Sequence, residues 1–391
     1  ITGFLGAPDY FDRENDGNVN LVTALRQPGS TLKPFVYGLA LENGYTAASI
    51  IPDIKFPARG GFFPGNHDGR LHGPLRMRIA LACSYNIPAF YMAMKLTPAR
   101  VIEKLRTAGF SSIKGESGFY GETIALGSGE VRLLDLAAAY SVFANEGKLY
   151  SPVMIKGQPV QSKQVFSREA AFLIWDILAD PSARFASFGY HSSMNLPFPV
   201  AIKTGTSKGF RDKWAIGVNS RYTIGVWLGN PSGENMRDLT ETGNASTVLR
   251  DLFLMVQKKW TDGAVTPPPG VEKRTICALS GQPATEYCPD TVEEYFAGNA
   301  VPGQPCSWHV FQEGQLKINY PELYKKWAMD NNPEGMVSIT QSDRPRISFP
   351  QQGDFFYINT GVSLKDQQIT FEVMGLENGQ PVEYYLNGNL N

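Results

Sequence analysis

Three short motifs contain the residue types that serine acyl transfer requires, and they follow one another along the chain. The first is an S-x-x-K motif formed by Ser30 and Lys33, and the second is an S-x-N motif formed by Ser84 and Asn86. The third is a K-T-G motif that begins at Lys203. The three motifs in this order indicate catalysis through an ester on an activated serine.

The spacing within the first motif explains how Ser30 could become a nucleophile. Positions i and i+3 share one face of a helix, so we expect the Lys33 amine to reach the Ser30 hydroxyl and accept its proton. Pro28 and Gly29 mark a helix start, where N–H groups without a helical partner favour negative charge. A lysine with the ordinary pKa of about 10.4 cannot accept a proton near neutral pH. Burial and a second cation, for which Lys203 is the candidate, would lower that pKa.

The K-T-G motif predicts a strand that binds substrate. Lys203 and the hydroxyls of Thr204 and Thr206 suit a free carboxylate at the end of a peptide. Gly205 has no side chain, which we expect to let the strand approach an acyl group closely. The backbone N–H groups of Ser30 and Thr206 would then form an oxyanion hole.

The S-x-N motif predicts the opposite wall of the same cleft. We expect Ser84 to relay a proton to the leaving amine and Asn86 to hold the substrate amide. Residues 52–74 are rich in glycine and proline and predict a surface loop that runs toward this motif. Within that loop, the spacing of His67 and His72 favours solvated side chains over metal ligands.

Each motif alone is a weak signal, because the chain contains further copies. Ser111 and Lys114 form a second S-x-x-K, and Ser193 and Asn195 form a second S-x-N. A G-x-S-x-G pattern around Ser207 also matches the nucleophile elbow of α/β-hydrolases, which requires a strand, a sharp turn and then a helix. Strand-like sequence follows Ser207 instead, so the pattern is not interpreted as an elbow.

Several longer stretches carry a family resemblance. These stretches are residues 6–12, 26–30, 125–131, 144–147 and 212–217. With the three motifs, they resemble the transpeptidase domain of class A penicillin-binding proteins, and within that class the penicillin-binding protein 1C subgroup. The resemblance is strong over about residues 1–260 and looser beyond. It implies a penicillin-binding, serine-transpeptidase fold of the α+β class, with an antiparallel sheet, helices and an all-α region.

The resemblance also implies an activity. In D,D-transpeptidation, Ser30 attacks the penultimate D-alanine carbonyl of a peptidoglycan stem peptide ending in D-Ala-D-Ala. D-Alanine leaves, and an amine of a neighbouring stem takes the acyl group. β-Lactams mimic the dipeptide and acylate the same serine. A D,D-carboxypeptidase or β-lactamase-type hydrolase, a non-catalytic penicillin-binding sensor and a scaffold remain alternatives.

The resemblance implies a periplasmic location. Class A members have an inner-membrane anchor and a glycosyltransferase domain ahead of this region. The chain begins with Ile1 rather than methionine, so we expect a fragment from which both are absent. No apolar run of about 18 residues indicates a membrane span. The net charge of -1 gives no electrostatic footprint for nucleic acid.

Composition shifts predict three parts. Residues 1–262 would form the transpeptidase domain, and a Pro-rich linker opens a cysteine-containing extension over residues 263–344. Residues 345–391 consist of short strand-like runs and predict a truncated immunoglobulin-like module. This module would be either a structural cap or a binding site for a periplasmic protein partner.

The extension contains most of the cysteines. Cys83 lies in an apolar segment and predicts a small buried side chain. Cys277, Cys288 and Cys306, with His309 in a C-x-x-H half-site, match the ligand set of a structural zinc. A disulfide between Cys277 and Cys288 is the alternative in an oxidising compartment, and unpaired thiols are a third. No other cofactor is expected.

Overall fold

A computed structural model describes residues 1–56, 63–236, 244–257, 263–298, 300, 302–312, 314–331, 346–349, 372–374, 385–386 and 389–390. The chain divides into two compact units, Ile1–Ser307 and Trp308–Asn391. The first unit mixes helices with antiparallel sheets, which confirms the predicted α+β class.

Helices form much of the first unit, and several begin where the sequence provides a start signal. Pro98 and Pro181 occupy first-turn positions, and the side chains of Ser167 and Asn244 accept backbone N–H groups at their helix starts. The helices are α1 (Lys33–Leu41), α2 (Met77–Ala82), α3 (Asn86–Leu96), α4 (Pro98–Thr107), α5 (Ser117–Tyr120), α6 (Leu133–Tyr140), α7 (Arg168–Ala179), α8 (Pro181–Phe188) and α9 (Ala245–Val256).

The strands of this unit pair antiparallel with neighbours along the chain. The strands are β1 (Ile50–Asp53), β2 (Gly73–Arg76), β3 (Lys148–Tyr150), β4 (Ser162–Gln164), β5 (Ala201–Thr206), β6 (Asp212–Val218), β7 (Thr223–Gly229), β8 (Val271–Cys277) and β9 (Thr291–Ala297). A three-stranded sheet has the order β5-β6-β7, and the pairs β1-β2, β3-β4 and β8-β9 form smaller sheets.

The three-stranded sheet is buried on both faces, because side chains alternate along each strand. On one face, Trp214 and Ile216 join the large core that contains Phe35 of α1. On the other face, Ala215 packs into a smaller core with Phe253 of α9. The sheet that carries the K-T-G motif is therefore held between two apolar layers.

The extension begins as a hairpin of β8 and β9. Ion pairs between side chains join this hairpin to earlier elements of the same unit. Glu294 of β9 is fully buried and accepts hydrogen bonds from Arg76 and Arg78, at the junction of β2 and α2. Arg78 also contacts Asp176 and Asp180 of the α7–α8 region. The compact unit thus continues past residue 262, and the domain boundary suggested there stays a prediction.

The second unit begins with a hairpin of β10 (His309–Gln312) and β11 (Gln315–Ile318), followed by α10 (Glu322–Asn331). Short antiparallel pairs follow, formed by β12 (Arg346–Phe349) with β13 (Glu372–Met374) and by β14 (Tyr385–Leu386) with β15 (Asn389–Leu390). Most of residues 345–391 lie outside the described residues, so the immunoglobulin-like module stays a prediction. None of the described helices is long and apolar enough to cross a membrane.

Candidate active site

Ser30 lies in a 3₁₀ turn, Gly29–Leu32, that leads into α1. The reason is Pro34, which has no N–H and therefore cannot donate the α-helical bond to the Ser30 carbonyl. Lys33 N donates to that carbonyl instead, which gives the tighter i to i+3 pattern. Ser30 therefore lies one turn ahead of the regular helix that Lys33 begins, close to the predicted helix start.

Neighbouring elements hold the backbone around Ser30. The Tyr140 hydroxyl of α6 donates to the Thr31 carbonyl at 2.6 Å, and the Trp214 indole of β6 donates to the Gln27 carbonyl at 2.8 Å. Both donors are buried in the core, so the nucleophile segment is fixed from two sides.

Three glycines allow unusually close backbone packing beside Ser30. A Cβ on Gly205 would lie 2.3 Å from the Pro28 carbonyl oxygen, and one on Gly29 would lie 2.4 Å from that of Thr206. Gly127 adopts a φ of +86°, and a Cβ there would lie 2.3 Å from the Gly29 carbonyl oxygen. The expected reason for Gly205 was access to substrate. In the structure, Gly205 contacts the nucleophile segment. Gly127 packs against the same segment, a contact that its sequence motif did not indicate.

Lys33 is fully buried and its amine meets the S-x-N turn. Lys33 Nζ donates to Asn86 Oδ1 at 2.8 Å and to the carbonyl oxygens of Ser84 and Tyr85 at 2.5 and 3.0 Å. Among the described residues these are its hydrogen-bond acceptors, and the Ser30 hydroxyl is not one of them. Burial lowers the pKa of Lys33 well below its ordinary value, and the charge of Lys203 lowers it further.

Lys203 enters the same cleft from β5. Its Nζ donates to Ser84 Oγ at 2.6 Å and to the Thr204 carbonyl oxygen at 2.9 Å. Burial lowers the pKa of Lys203 to about 7. Two buried lysines therefore meet at Ser84.

Ser84 itself has an unusual backbone. Its φ of +63° lies in the left-handed region, which costs a non-glycine residue about 1–3 kcal/mol unless its surroundings impose it. Here Lys33 bonds to its carbonyl and Lys203 to its hydroxyl, on opposite sides of the residue. The conformation places both groups of Ser84 at the centre of the cleft.

Asn86 is positioned by residues that the motif search missed. Asn66 Oδ1 accepts the backbone N–H of Asn86 and of Ile87, which caps the start of α3 from twenty residues away. Asn66 Nδ2 in turn donates to the buried carboxylate of Asp53 at 2.8 Å. The Asn86 amide group donates to the Gly65 carbonyl. No local pattern marks such a long-range cap.

His72 differs from the solvated histidine expected in its loop. Its Nδ1 lies 2.6 Å from Asp53 Oδ2, and its Nε2 lies 3.0 Å from Asp68 Oδ2. The ring stacks on Tyr85 with centroids 4.1 Å apart. This histidine therefore supports the loop that holds Asn66.

The remaining motif residues fall into two groups. Thr204 is half-buried and Thr206 is exposed, both at the end of β5 beside the nucleophile segment. The alternative motifs lie elsewhere. Ser111 is in a turn after α4. Ser207 is followed by a three-residue 3₁₀ turn, Lys208–Phe210, and then by β6, rather than by the longer helix of a nucleophile elbow, and its Oγ donates to Asp212 Oδ2 at 2.6 Å.

The cysteines of the extension converge. The sulfur atoms of Cys277, Cys288 and Cys306 lie within 4.8 Å of one another, and all three residues are buried. No disulfide joins cysteines in the part of the chain that the structure describes. His309 is the first residue of β10, in the second unit, and remains the fourth ligand suggested by the C-x-x-H spacing.

Family models match most of the chain that holds this site. The penicillin binding protein transpeptidase domain matches residues 6–240, and the C-terminal domain of penicillin-binding protein 1A matches residues 267–311. The chain therefore belongs to the penicillin-binding transpeptidase family, as the class A resemblance predicted.

Individual relatives agree with the family match. Penicillin-binding protein 1C of Escherichia coli K12 is 36% identical over 289 residues, which are 73% of this chain and 37% of that protein. Penicillin-binding protein 1A of Clostridium tetani strain Massachusetts / E88 is 28% identical over 73% of this chain and 40% of the relative. The chain thus spans about two fifths of the length of these relatives.

Solved structures share the fold. Penicillin-binding protein 1A of Haemophilus influenzae gives a TM-score of 0.66 at 23% identity, covering 77% of this chain and 52% of its own. The PonA1 protein of Mycobacterium tuberculosis in complex with penicillin V gives 0.53 at 23% identity, covering 65% and 78%. The predicted penicillin-binding transpeptidase fold is confirmed.

Proposed function

We propose that this chain is a serine D,D-transpeptidase that cross-links peptidoglycan stem peptides through an acyl-enzyme on Ser30. The observation that carries the proposal is the meeting of Lys33 and Lys203 at Ser84, beside the segment that holds Ser30. Family membership supports the reaction class. The assignment of each residue is our own.

In the acylation step, neutral Lys33 accepts the proton of the Ser30 hydroxyl as Oγ attacks the carbonyl carbon of the penultimate D-alanine. In the structure the Lys33 amine donates to three acceptors. A neutral amine has one lone pair and only two N–H groups, so Lys33 must release one of these acceptors before it can accept a proton. The tetrahedral oxyanion binds the N–H groups of Ser30 and Thr206. The amide C–N bond then breaks, and Ser84 relays to the departing D-alanine amine the proton that Lys33 took from Ser30, so that Ser84 is again a hydroxyl and Lys33 a neutral amine.

The second step transfers the acyl group. An acceptor amine of a neighbouring stem attacks the ester carbonyl and loses a proton to neutral Lys33. Lys33 returns that proton to the Ser30 oxygen as the ester C–O bond breaks, which restores the Ser30 hydroxyl. Cationic Lys203, with Thr204 and Thr206, holds the terminal carboxylate of the donor peptide before acylation. Asn86 orients its amide. If water attacked the ester instead of the amine, the chain would be a carboxypeptidase or β-lactamase. If the reaction stopped at the acyl-enzyme, the chain would be a sensor.

One experiment separates these outcomes. The chain is incubated with a thioester analogue of the D-Ala-D-Ala terminus, with and without an amine acceptor. The amounts of transfer product and hydrolysis product are then measured. We expect amine-dependent transfer product, with an acyl mass increment on the peptide that contains Ser30. Ser30→Ala should abolish it and Ser111→Ala should not. Hydrolysis alone, acylation without turnover, or no acylation would each contradict the proposal.

β-Lactams should acylate the same serine. Among the structural relatives, one is an imipenem acyl-enzyme complex of penicillin-binding protein A from M. tuberculosis. We further propose a periplasmic site of action, with an inner-membrane anchor in the full-length protein. Glycosyltransfer would belong to that longer protein.

A further inference from the structure

We propose that Cys277, Cys288 and Cys306 bind a structural zinc ion that stabilises the extension. Three sulfur atoms converge from three separate parts of the extension, namely the end of β8, the loop after it and the segment that follows β9. This site is separate from the acylation chemistry and does not depend on the proposed transpeptidation.

The distances suit a tetrahedral metal better than a disulfide. With zinc–sulfur bonds of about 2.3 Å, tetrahedral geometry sets sulfur atoms about 3.8 Å apart. The three sulfur atoms lie within 4.8 Å of one another, so only small shifts are needed. A disulfide would draw two of them to about 2.05 Å and leave the third alone.

Hydrogen-bond donors point at the sulfur atoms of the cluster. The Ser280 N–H points at Cys277 Sγ at 3.4 Å, and the Ser280 hydroxyl donates to Cys306 Sγ at 3.1 Å. The Thr285 N–H points at Cys288 Sγ at 3.3 Å. Hydrogen bonds of this kind orient metal ligands and stabilise their charge.

The backbone holds the ligand segments together independently of the side chains. Cys277 N donates to the Gln282 carbonyl, and Cys306 N donates to the Pro283 carbonyl at 2.9 Å. Both bonds involve the loop between the first two cysteines. The three thiols are therefore brought together by a folded turn rather than by chance contact.

The ligand set selects the metal. Thiolates with one imidazole prefer a soft or borderline cation, and tetrahedral S₃N sites are typical of zinc. His309 follows Cys306 by three residues, the spacing of a C-x-x-H half-site, so the sequence makes it the candidate for the fourth position that substitution can test. The proposed zinc site needs no carboxylate ligand.

The extension also has a reason to need a metal. The apolar cluster that includes β8 and β9 contains only Ile276, Phe296 and the neighbouring Ala48 as buried members within the described residues, with Val292 partly buried beside them. Such a small core provides little free energy of folding. A bound zinc contributes its binding free energy to folding, as in other small metal-dependent segments.

The first test measures metal and thiols on the untagged, purified chain. We expect one zinc per chain by elemental analysis, and four reactive thiols after denaturation with a chelator. Cobalt substitution should give the visible d–d bands and the sulfur-to-cobalt charge-transfer band of a tetrahedral thiolate site. Absence of metal would overturn the proposal, with two thiols indicating a disulfide and four indicating empty cysteines.

Variants assign the ligands. Cys306→Ser should lose the zinc, while Cys83→Ala, which removes a thiol outside the cluster, should keep it. His309→Ala should weaken zinc binding and His309→Cys should restore it. Ser280→Ala should lower zinc affinity about 10- to 100-fold. The nearby Ser307→Ala should not, because its hydroxyl contacts Gln282 rather than sulfur. Unchanged zinc content in Cys306→Ser would overturn the assignment.

Discussion

The catalytic cleft and the first part of the extension, residues 263–307, belong to the same compact unit, yet different forces stabilise them. The cleft lies between two apolar layers, and its buried lysines are tolerated because that core supports them. The hairpin of β8 and β9 has a small apolar cluster of its own, and an ion cluster and converging thiols lie beside it. Changes in the cleft should therefore remove chemistry, whereas changes in the extension should remove stability.

The largest effect should come from the base. Lys33→Ala should lower the rate of Ser30 acylation about 10²- to 10⁴-fold, because the hydroxyl loses its proton acceptor. The measurement is acylation by the thioester or a β-lactam, followed by mass spectrometry, with circular dichroism to verify folding. Lys203→Arg should retain part of the activity, since it keeps the charge. Normal acylation in Lys33→Ala would exclude the mechanism.

Substitutions in the extension should change the free energy of unfolding rather than the rate of acylation. Glu294→Gln should lower the free energy of unfolding by about 3 kcal/mol, because it breaks a buried ion pair with Arg78. Glu272→Gln on the adjacent strand is the control, since its pair with Arg274 is exposed and should contribute less than about 0.5 kcal/mol. Urea denaturation measures both. Equal effects would show that burial of Glu294 does not matter.

A pH profile tests the second lysine without changing the fold. With a pKa of about 7, Lys203 is cationic below that pH and neutral above it. For a substrate with a terminal carboxylate, kcat/KM of acylation, which reports the free enzyme, should fall above about pH 7. In Lys203→Arg this fall should disappear, because a guanidinium keeps its charge. A fall that persists in the arginine variant would assign it to another group.

Local spacing selected residues that the structure brings near one another, because S-x-x-K, S-x-N and K-T-G each lie within one turn or one strand. It did not predict what Lys33 contacts, since its amine bonds to the S-x-N turn of a distant segment. Gly127 was part of a family landmark with no assigned role. Its function depends on backbone contact with Gly29, which no local pattern encodes.

The same limit applies to ion pairs and caps. Arg78 and Glu294 are 216 positions apart, and charge type alone does not pair them. Asp53 and Asn66 lie within residues 52–74, a segment whose composition indicated a loop but not these contacts. Cysteine counting, in contrast, found the thiol cluster because cysteine is rare and its ligand spacing is local.

The smallest expected effect separates support of the site from support of the fold. Asn66→Ala removes the cap on α3 and should lower the free energy of unfolding by about 2 kcal/mol. It should also slow acylation, because Asn86 loses the acceptor of its backbone N–H. Asn244→Ala is the matched control, since its side chain caps α9 through Ser246.

The control should cost at most about 1 kcal/mol and leave acylation unchanged, because α9 packs on the far face of the sheet from the cleft core. Both variants are compared at a temperature where each is fully folded, so a slower rate in Asn66→Ala reports geometry. If the two asparagines proved equivalent in rate, the Asp53–Asn66 pair would be a structural cap only. If Asn66→Ala alone slowed acylation, the loop before α2 would belong to the catalytic cleft as a positioning element.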